Sequence, residues 1–237
     1  MSLREELFGS PGYSLQYRLL PDELIFMRRE IAEQMRKRVS EAFSEHKQNG
    51  SHQELWGRKN HRLFTQAAVE RVKEFNFLKF VGYELGAWRL SPVIYEGGIY
   101  RDKEEVYWRL VRPHHETDVG GLHADSWYLD HFKDAQGPLI GEKEYTLKCW
   151  IPIEVEPGLN GLEVVPDSHS REWRTQTTQR PGLSRPHIEI DEPVRTRLLS
   201  TKPGNVVIFN DKLLHGGVVN RGEHSRVSAE ITLVLQR

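Results

Sequence analysis

The chain has 237 residues, one cysteine and nearly balanced charge, 33 Lys and Arg against 34 Asp and Glu, for a formal net charge of −1. Such balance excludes the basic field that draws a protein to nucleic acid and the acidic blocks of a solvating tail, and a single cysteine excludes an internal disulfide or a Cys-based zinc cluster. The length fits one large domain with a sizeable core, and the ligand expected of it is a small molecule.

The start, MSLREELFGS, lacks the apolar run of a signal peptide, and no later stretch approaches the roughly 18 to 20 apolar residues that span a bilayer. A cytoplasmic chain without membrane or nucleic-acid partners is the expectation. Residues 1–20 carry Gly9, Pro11 and Gly12 without a sustained period and read as a leader with room for a short strand. From Pro21 and Asp22 the spacing turns helical, with Leu24, Met27, Ile31, Met35, Val39 and Phe43 on one face until Asn49-Gly50. A second amphipathic segment, about 60–74, aligns Leu63, Phe64, Ala67, Val72 and Phe75, and a third aligns Leu78, Val81, Leu85 and Trp88. These stripes need a sheet to cover, because their polar faces mix both charge signs and do not suit a membrane.

After Ser91-Pro92 the texture becomes short β-branched and aromatic runs between turn residues. Strands are expected near 93–95, 105–111, 121–125, 145–153, 161–165, 187–190, 194–199, 206–209, 213–218 and 226–235. Their number and spacing predict a mainly β sandwich or barrel with an α-helical cover, not alternating βαβ units. The chain reads as one domain, 1–237, with the leader and helices in about 1–90 and the β core in about 91–237. Two long segments, 126–144 and 167–186, interrupt the strands and are candidates for a cover over a site. Cys149, between Lys148 and Trp150 in a strand-like run, reads as a packed residue and not a nucleophile.

The chemistry centres on Gly120-Gly121-Leu122-His123-Ala124-Asp125. On a strand, side chains two apart share a face, so His123 and Asp125 could bind one metal ion. His-x-acid occurs four times in the chain, also as His52/Glu54, His114/Glu116 and His187/Glu189. Context selects among them. A double-stranded β-helix needs several strands between the ligand pair and a distal His, and 125–215 supplies about five, ending at His215. The pair at 187 leaves too few, the pair at 52 lies in helical sequence, and the pair at 114 follows a Pro at a strand end. Two His and one carboxylate leave coordination positions open, the arrangement of non-haem Fe(II) oxygenases.

The last strand adds a second signal. In 226–235, Arg226, Ser228, Glu230 and Thr232 alternate with Val, Ala, Ile and Leu, so Arg226 and Ser228 share a face. If that face is interior, Arg226 needs an anion, and a carboxylate taken by both arms of the guanidinium is the natural partner.

In this order His123-x-Asp125, Cys149-Trp150-Ile151-Pro152-Ile153, Asn160 to His169, Pro203 to Phe209, His215-Gly216 with Asn220, and Arg226 resemble the phytanoyl-CoA dioxygenase family over roughly 105–235. The resemblance implies a double-stranded β-helix (jelly-roll, cupin-like) core and an Fe(II)- and 2-oxoglutarate-dependent dioxygenase. His123, Asp125 and His215 would ligate iron, Arg226 would hold the distal carboxylate of 2-oxoglutarate, and Ser228 would add a hydroxyl. Members often have Ser two residues after the distal His, where this chain has Gly217. Related halogenases lack the ligand carboxylate, so the resemblance with Asp125 present implies hydroxylation or another oxidation and not halogenation. The partners would be O2 and a small-molecule substrate, with succinate and CO2 released.

Trp127, Tyr128, Arg109 and Trp173 are candidate substrate-facing residues, and Lys148 and Arg112 are further cations able to meet an anionic group. His169, in Pro-Asp-Ser-His-Ser, reads as a residue that fixes its loop. Two other readings stay open: a cupin-like barrel that binds a metal or small ligand as a sensor, and a metal enzyme that uses no keto acid.

Overall fold

The computed structural model describes residues 1–44, 62–95, 98–129, 131–178 and 187–237. It opens on a helix, α1 (Leu3–Phe8), which the leader sequence hid because it is only six residues long. Ser2 and Glu5 form a reciprocal capping box that starts it. After the Gly9–Gly12 turn, β1 (Tyr13–Arg18) follows, then the long α2 (Pro21–Ser44), with Pro at its first position and two acids in its first turn. The expected stop at Asn49-Gly50 lies outside the described residues. Helix α3 (Gln66–Lys73) begins at the N-cap Thr65 and is shorter than expected, since Leu63 instead bridges to Tyr107. Helix α4 (Asn76–Leu85) ends at Gly86, whose φ is 95°. Buried Glu23 ties two helix starts together, accepting from the backbone N–H of Leu20 at 2.8 Å and of Asn76 at 2.6 Å.

Trp88 is not on that last helix. It opens β2 (Trp88–Leu90), and its indole N–H donates to the Leu78 carbonyl at 3.1 Å. A hairpin of β3 (Pro92–Tyr95) and β4 (Gly98–Glu104) follows, its second strand unforeseen, then β5 (Val106–Val111). The predicted strand at 121–125 does not form. Only His123 makes a bridge, and the chain turns into a short helix, α5 (Ser126–Leu129). A small hairpin, β6 (Lys133–Asp134) with β7 (Gly137–Pro138), completes that loop. The remaining strands are β8 (Glu144–Glu154), β9 (Leu162–Val164), β10 (Thr175–Thr178), β11 (His187–Ile190), β12 (Arg197–Leu198), β13 (Asn205–Asn210), β14 (His215–Gly217) and β15 (Arg226–Gln236). Of the strand expected over 194–199, Arg197 and Leu198 alone pair.

Two sheets make a mainly β, jelly-roll core. The larger runs β1-β13-β8-β15-β2, with β5 also on β15; the smaller runs β12-β9-β14. Strand alternation sorts residues between two cores. Cys149, Ile151 and Ile153 of β8, Val206 and Ile208 of β13, and Val227, Ala229, Ile231, Leu233 and Leu235 of β15 pack on the helices. Trp150, Val207 and Phe209, from the opposite face of the same sheet, meet Leu162 and Val164 of the smaller one and Leu199 just after β12. Leu147, Ile151 and Trp108 lie fully inside the helix-covered layer, each worth about 1.5 to 3 kcal/mol in burial.

Candidate metal centre and active site

His123 and His215 are fixed to each other before either touches anything else. Each backbone N–H donates to the other's carbonyl, at 3.0 and 2.9 Å, and the imidazole centroids lie 4.5 Å apart. The Nδ1 of each ring is 2.9 Å from a carbonyl two residues earlier, Gly121 for His123 and Leu213 for His215. A carbonyl only accepts, so both Nδ1 atoms carry the hydrogen and both Nε2 lone pairs are free to bind a cation. Between them stands Asp125, with Oδ1 3.9 Å from His123 Nε2 and Oδ2 3.8 Å from His215 Nε2. All three donor atoms lie within 4.8 Å of one another, close to the separations of roughly 3 to 4 Å set by an ion about 2.1 Å from each. Burial, and after it the neighbouring His215, pushes the His123 imidazole down to about 4, so it is neutral at pH 7 as a ligand must be.

Arg226 reaches the same interior from the start of β15. It is buried, its Nη1 donates to the Gly161 carbonyl at 2.9 Å, and its Cζ lies 5.7 Å from the centre of the Trp150 ring. Among the described residues, its Nε and the hydroxyl of fully buried Ser228 have no partner. Burial, then Arg109, draws the Arg226 guanidinium down to about 10. Two orphaned polar groups on one buried face are costly unless a ligand satisfies them, and a carboxylate would satisfy both. A Cβ on Gly217 would meet Arg226 Nη1 at 3.5 Å, an ordinary contact, so glycine here leaves room beside the guanidinium.

A layer of charge backs these groups. Glu230 accepts from the Tyr107 hydroxyl and lies 3.7 Å from Arg109 Nη1. Burial opposes its charge, yet Arg109 and Lys148 hold its carboxyl below the ordinary range. Lys148 Nζ donates to Thr232 Oγ1 at 2.9 Å and stands 3.6 Å from Asp125 Oδ2. Glu230 was visible in the sequence only as a member of the Arg226-Ser228 alternation.

A cavity of about 360 Å³ opens in front of His123, lined by Arg109, Leu122, Tyr128, Gly217 and a wall from Ile188 to Val194. That wall went unrecognised in the sequence, where 187–190 read as a plain strand. Trp127 and Trp173 do not line the cavity; both pack on the cluster of Ala124, Val165 and Leu214. The Trp173 indole donates to the Ser168 carbonyl at 2.8 Å, with Arg171 stacked 3.5 Å over its ring. Arg112 is engaged by Asp118 at 2.8 and 2.9 Å and stays out of the site. His169 lies against Gly12. Of the other His-x-acid pairs, His52/Glu54 falls outside the described residues. Among the described residues, His123, Asp125 and His215 are the one set of three that could hold a metal ion.

A jelly-roll core carrying two His and a carboxylate beside a buried arginine has the donor set of non-haem iron oxygenases. Residues 18–228 match the model of the phytanoyl-CoA dioxygenase family, and the chain belongs to that family. Its enzymes are Fe(II)- and 2-oxoglutarate-dependent oxygenases that act on small molecules with O2, and the His123-Asp125-His215 group could bind the iron. No curated protein matches the sequence. Among solved structures, the non-haem monooxygenase ThoJ in its apo form is similar with a TM-score of 0.62 at 13% identity, covering 99% of this chain and 79% of that one. EctD from S. alaskensis gives 0.59 at 16%, covering 99% and 77%. The α-ketoglutarate-dependent carbocyclase SnoK from nogalamycin biosynthesis gives 0.56 at 14%, covering 98% and 81%. At these identities the likeness is one of fold.

Proposed function

We propose that the chain hydroxylates an unactivated C–H of a small molecule, R–H + O2 + 2-oxoglutarate giving R–OH + succinate + CO2. One observation carries this reading: three converging donor atoms, both imidazoles locked by Nδ1, share an interior with the Nε of Arg226 and the hydroxyl of Ser228, neither of which has a partner among the described residues. His123, Asp125 and His215 would hold Fe(II), and Arg226 with Ser228 would hold the distal carboxylate of 2-oxoglutarate. When bound, the iron and keto acid supply O2 activation. The chain's part is positioning and exclusion of water: the imidazoles keep fixed tautomers, Trp150 and Gly161 orient the guanidinium, and the wall at 188–194 covers the cavity. Tyr128 and Arg109, which line that cavity, are the substrate-facing residues in this reading. Retention of Asp125 favours hydroxylation over halogenation, since a carboxylate ligand occupies the place a halide would need.

Anaerobic titration with Fe(II) and 2-oxoglutarate tests it. A weak visible charge-transfer band is expected in the parent and a weaker one in Arg226→Ala. No band, in folded protein holding one Fe(II), would remove the keto acid from the reading. Incorporation of one labelled oxygen atom from O2 into product separates hydroxylation from ring closure or epimerisation.

A further inference from the structure

Three charged residues line the cavity in front of His123, and they are not equivalent. Glu192 is engaged, its carboxylate 3.1 Å from Arg171 Nη2 and 3.3 Å from the backbone N–H of Arg174 that donates to it. Glu189 sits on the hairpin strand opposite Gln176. Arg109 differs from both: its guanidinium faces Glu230 at 3.7 Å, longer than an ordinary hydrogen bond, and Glu230 first, with Asp125 further off, keeps it firmly protonated. Its side chain is 42% exposed while its neighbours on β5, Trp108 and Leu110, are buried in the helix-covered core.

The backbone explains the direction. Arg109 pairs in register with Ser228 and so faces the interior that Ser228 and Arg226 share. Glu230, two pairs further along on the same face, is itself held by the Tyr107 hydroxyl, so it steers the guanidinium without saturating it. A guanidinium carries five N–H donors in a planar fork, matched to the paired oxygens of a carboxylate or phosphate. Leu122, Tyr128, Ile188, Ile190 and Val194 add apolar surface to a lining otherwise made of charged residues, His123 and glycines.

We infer that the primary substrate is an organic anion with an apolar body, a carboxylate or phosphate monoester, and that Arg109 is the residue that selects it. This rests on the reading of the cavity as the substrate site of the dioxygenase. Arg226 takes the keto acid and Arg109 the substrate, so each anion has its own arginine.

The test uses protein loaded with Mn(II) and saturating 2-oxoglutarate, which fills the Arg226 site. Matched sets of aliphatic and aryl carboxylates, phosphate monoesters, neutral amides and amines are titrated by calorimetry. Anions are expected to bind about 10- to 100-fold more tightly than their amides, a difference that vanishes in Arg109→Gln and partly returns in Arg109→Lys. Carboxylate against phosphate is decided by which set binds more tightly. The double variant Arg109→Gln/Glu230→Gln guards against misfolding, since it removes the buried carboxylate along with its partner and must show the same lost preference. Equal binding of acids and amides by the parent, no binding of any anion at millimolar concentration, or an unchanged preference in both variants overturns the inference. Arg109→Gln should leave 2-oxoglutarate affinity within about twofold, while Arg226→Ala lowers it; loss of the keto acid in the Arg109 variant would assign Arg109 to the cosubstrate instead. A parent that bound neither Mn(II) nor 2-oxoglutarate would count against the dioxygenase reading, and the comparison of acids with amides can still be made on the metal-free chain.

Discussion

Arg226 crosses from the larger sheet to the carbonyl of Gly161, just before the smaller one, at 2.9 Å, and among the described residues its Nε has no partner. In the proposed reading that Nε is the group offered to the keto acid.

Replacing it should separate ligand binding from folding. Arg226→Met is expected to weaken 2-oxoglutarate by about 2 to 5 kcal/mol, at least about 30-fold, by removing the buried partner of a charge. Metal affinity should stay within about twofold, and thermal stability should change little, because an unsatisfied buried donor is lost with the guanidinium. Calorimetric titration with 2-oxoglutarate over Mn(II)-loaded protein measures it; an unchanged affinity would free Arg226 of this role.

Acid should destabilise the metal-free chain through His123. Its folded value of about 4 lies below the ordinary 6.5, so between these values the unfolded chain takes a proton that the folded chain refuses. Stability is therefore full above 6.5 and falls as pH drops toward 4, by about 1.4 kcal/mol per unit and at most about 3 kcal/mol in all. Urea unfolding at several pH values, compared with His123→Gln, reads this slope. Parallel curves for the two proteins would mean that His123 titrates normally.

Cys149 is fully buried and its thiol is pushed up to about 12 by burial. A thiol reagent should label it only through opening of the sheet, at least about 1000-fold more slowly than in urea. Labelling of the native chain at the free-thiol rate would contradict the packing of β8.

Gly12 and Gly86 both hold positive φ, +90° and +95°, yet only Gly12 is crowded. A Cβ there would lie 2.3 Å from His169 Nδ1 and 2.9 Å from Leu213 Cδ1, while at Gly86 nothing lies within 4 Å. Gly12→Ala should cost about 2 to 4 kcal/mol and Gly86→Ala about 1 kcal/mol, strain plus a clash against strain alone. Chemical denaturation of the two variants gives the comparison, and equal losses would show that His169 yields.

These costs show which features a linear reading can and cannot see. The alternation Arg226-Ser228-Glu230-Thr232 was legible because a strand imposes a period of two, and the His-x-Asp pair because few residue types bind metal. The strand assigned to 121–125 failed because residues 120–125 approach the sheet at His123 alone before turning into a helix. Trp88 followed the helical spacing of Leu78, Val81 and Leu85, and only Gly86 marked the break. The wall at 188–194 was invisible because a hairpin's position over a cavity depends on tertiary packing. Arg109 looked like Arg112 in sequence; Asp118 closes the fork of Arg112 at 2.8 and 2.9 Å, whereas Glu230 stands 3.7 Å from Arg109.

β15 gives its outward residues to the helices and its inward ones to the site, so stability and chemistry can drift independently by substitution along one strand. Length is another matter. Adding or deleting one residue within 226–235 would turn Arg226, Ser228 and Glu230 toward the helices and Val227, Ala229 and Ile231 toward the ligands, exchanging the two sets at a stroke. The strand is open to mutation of its letters and closed to mutation of its count.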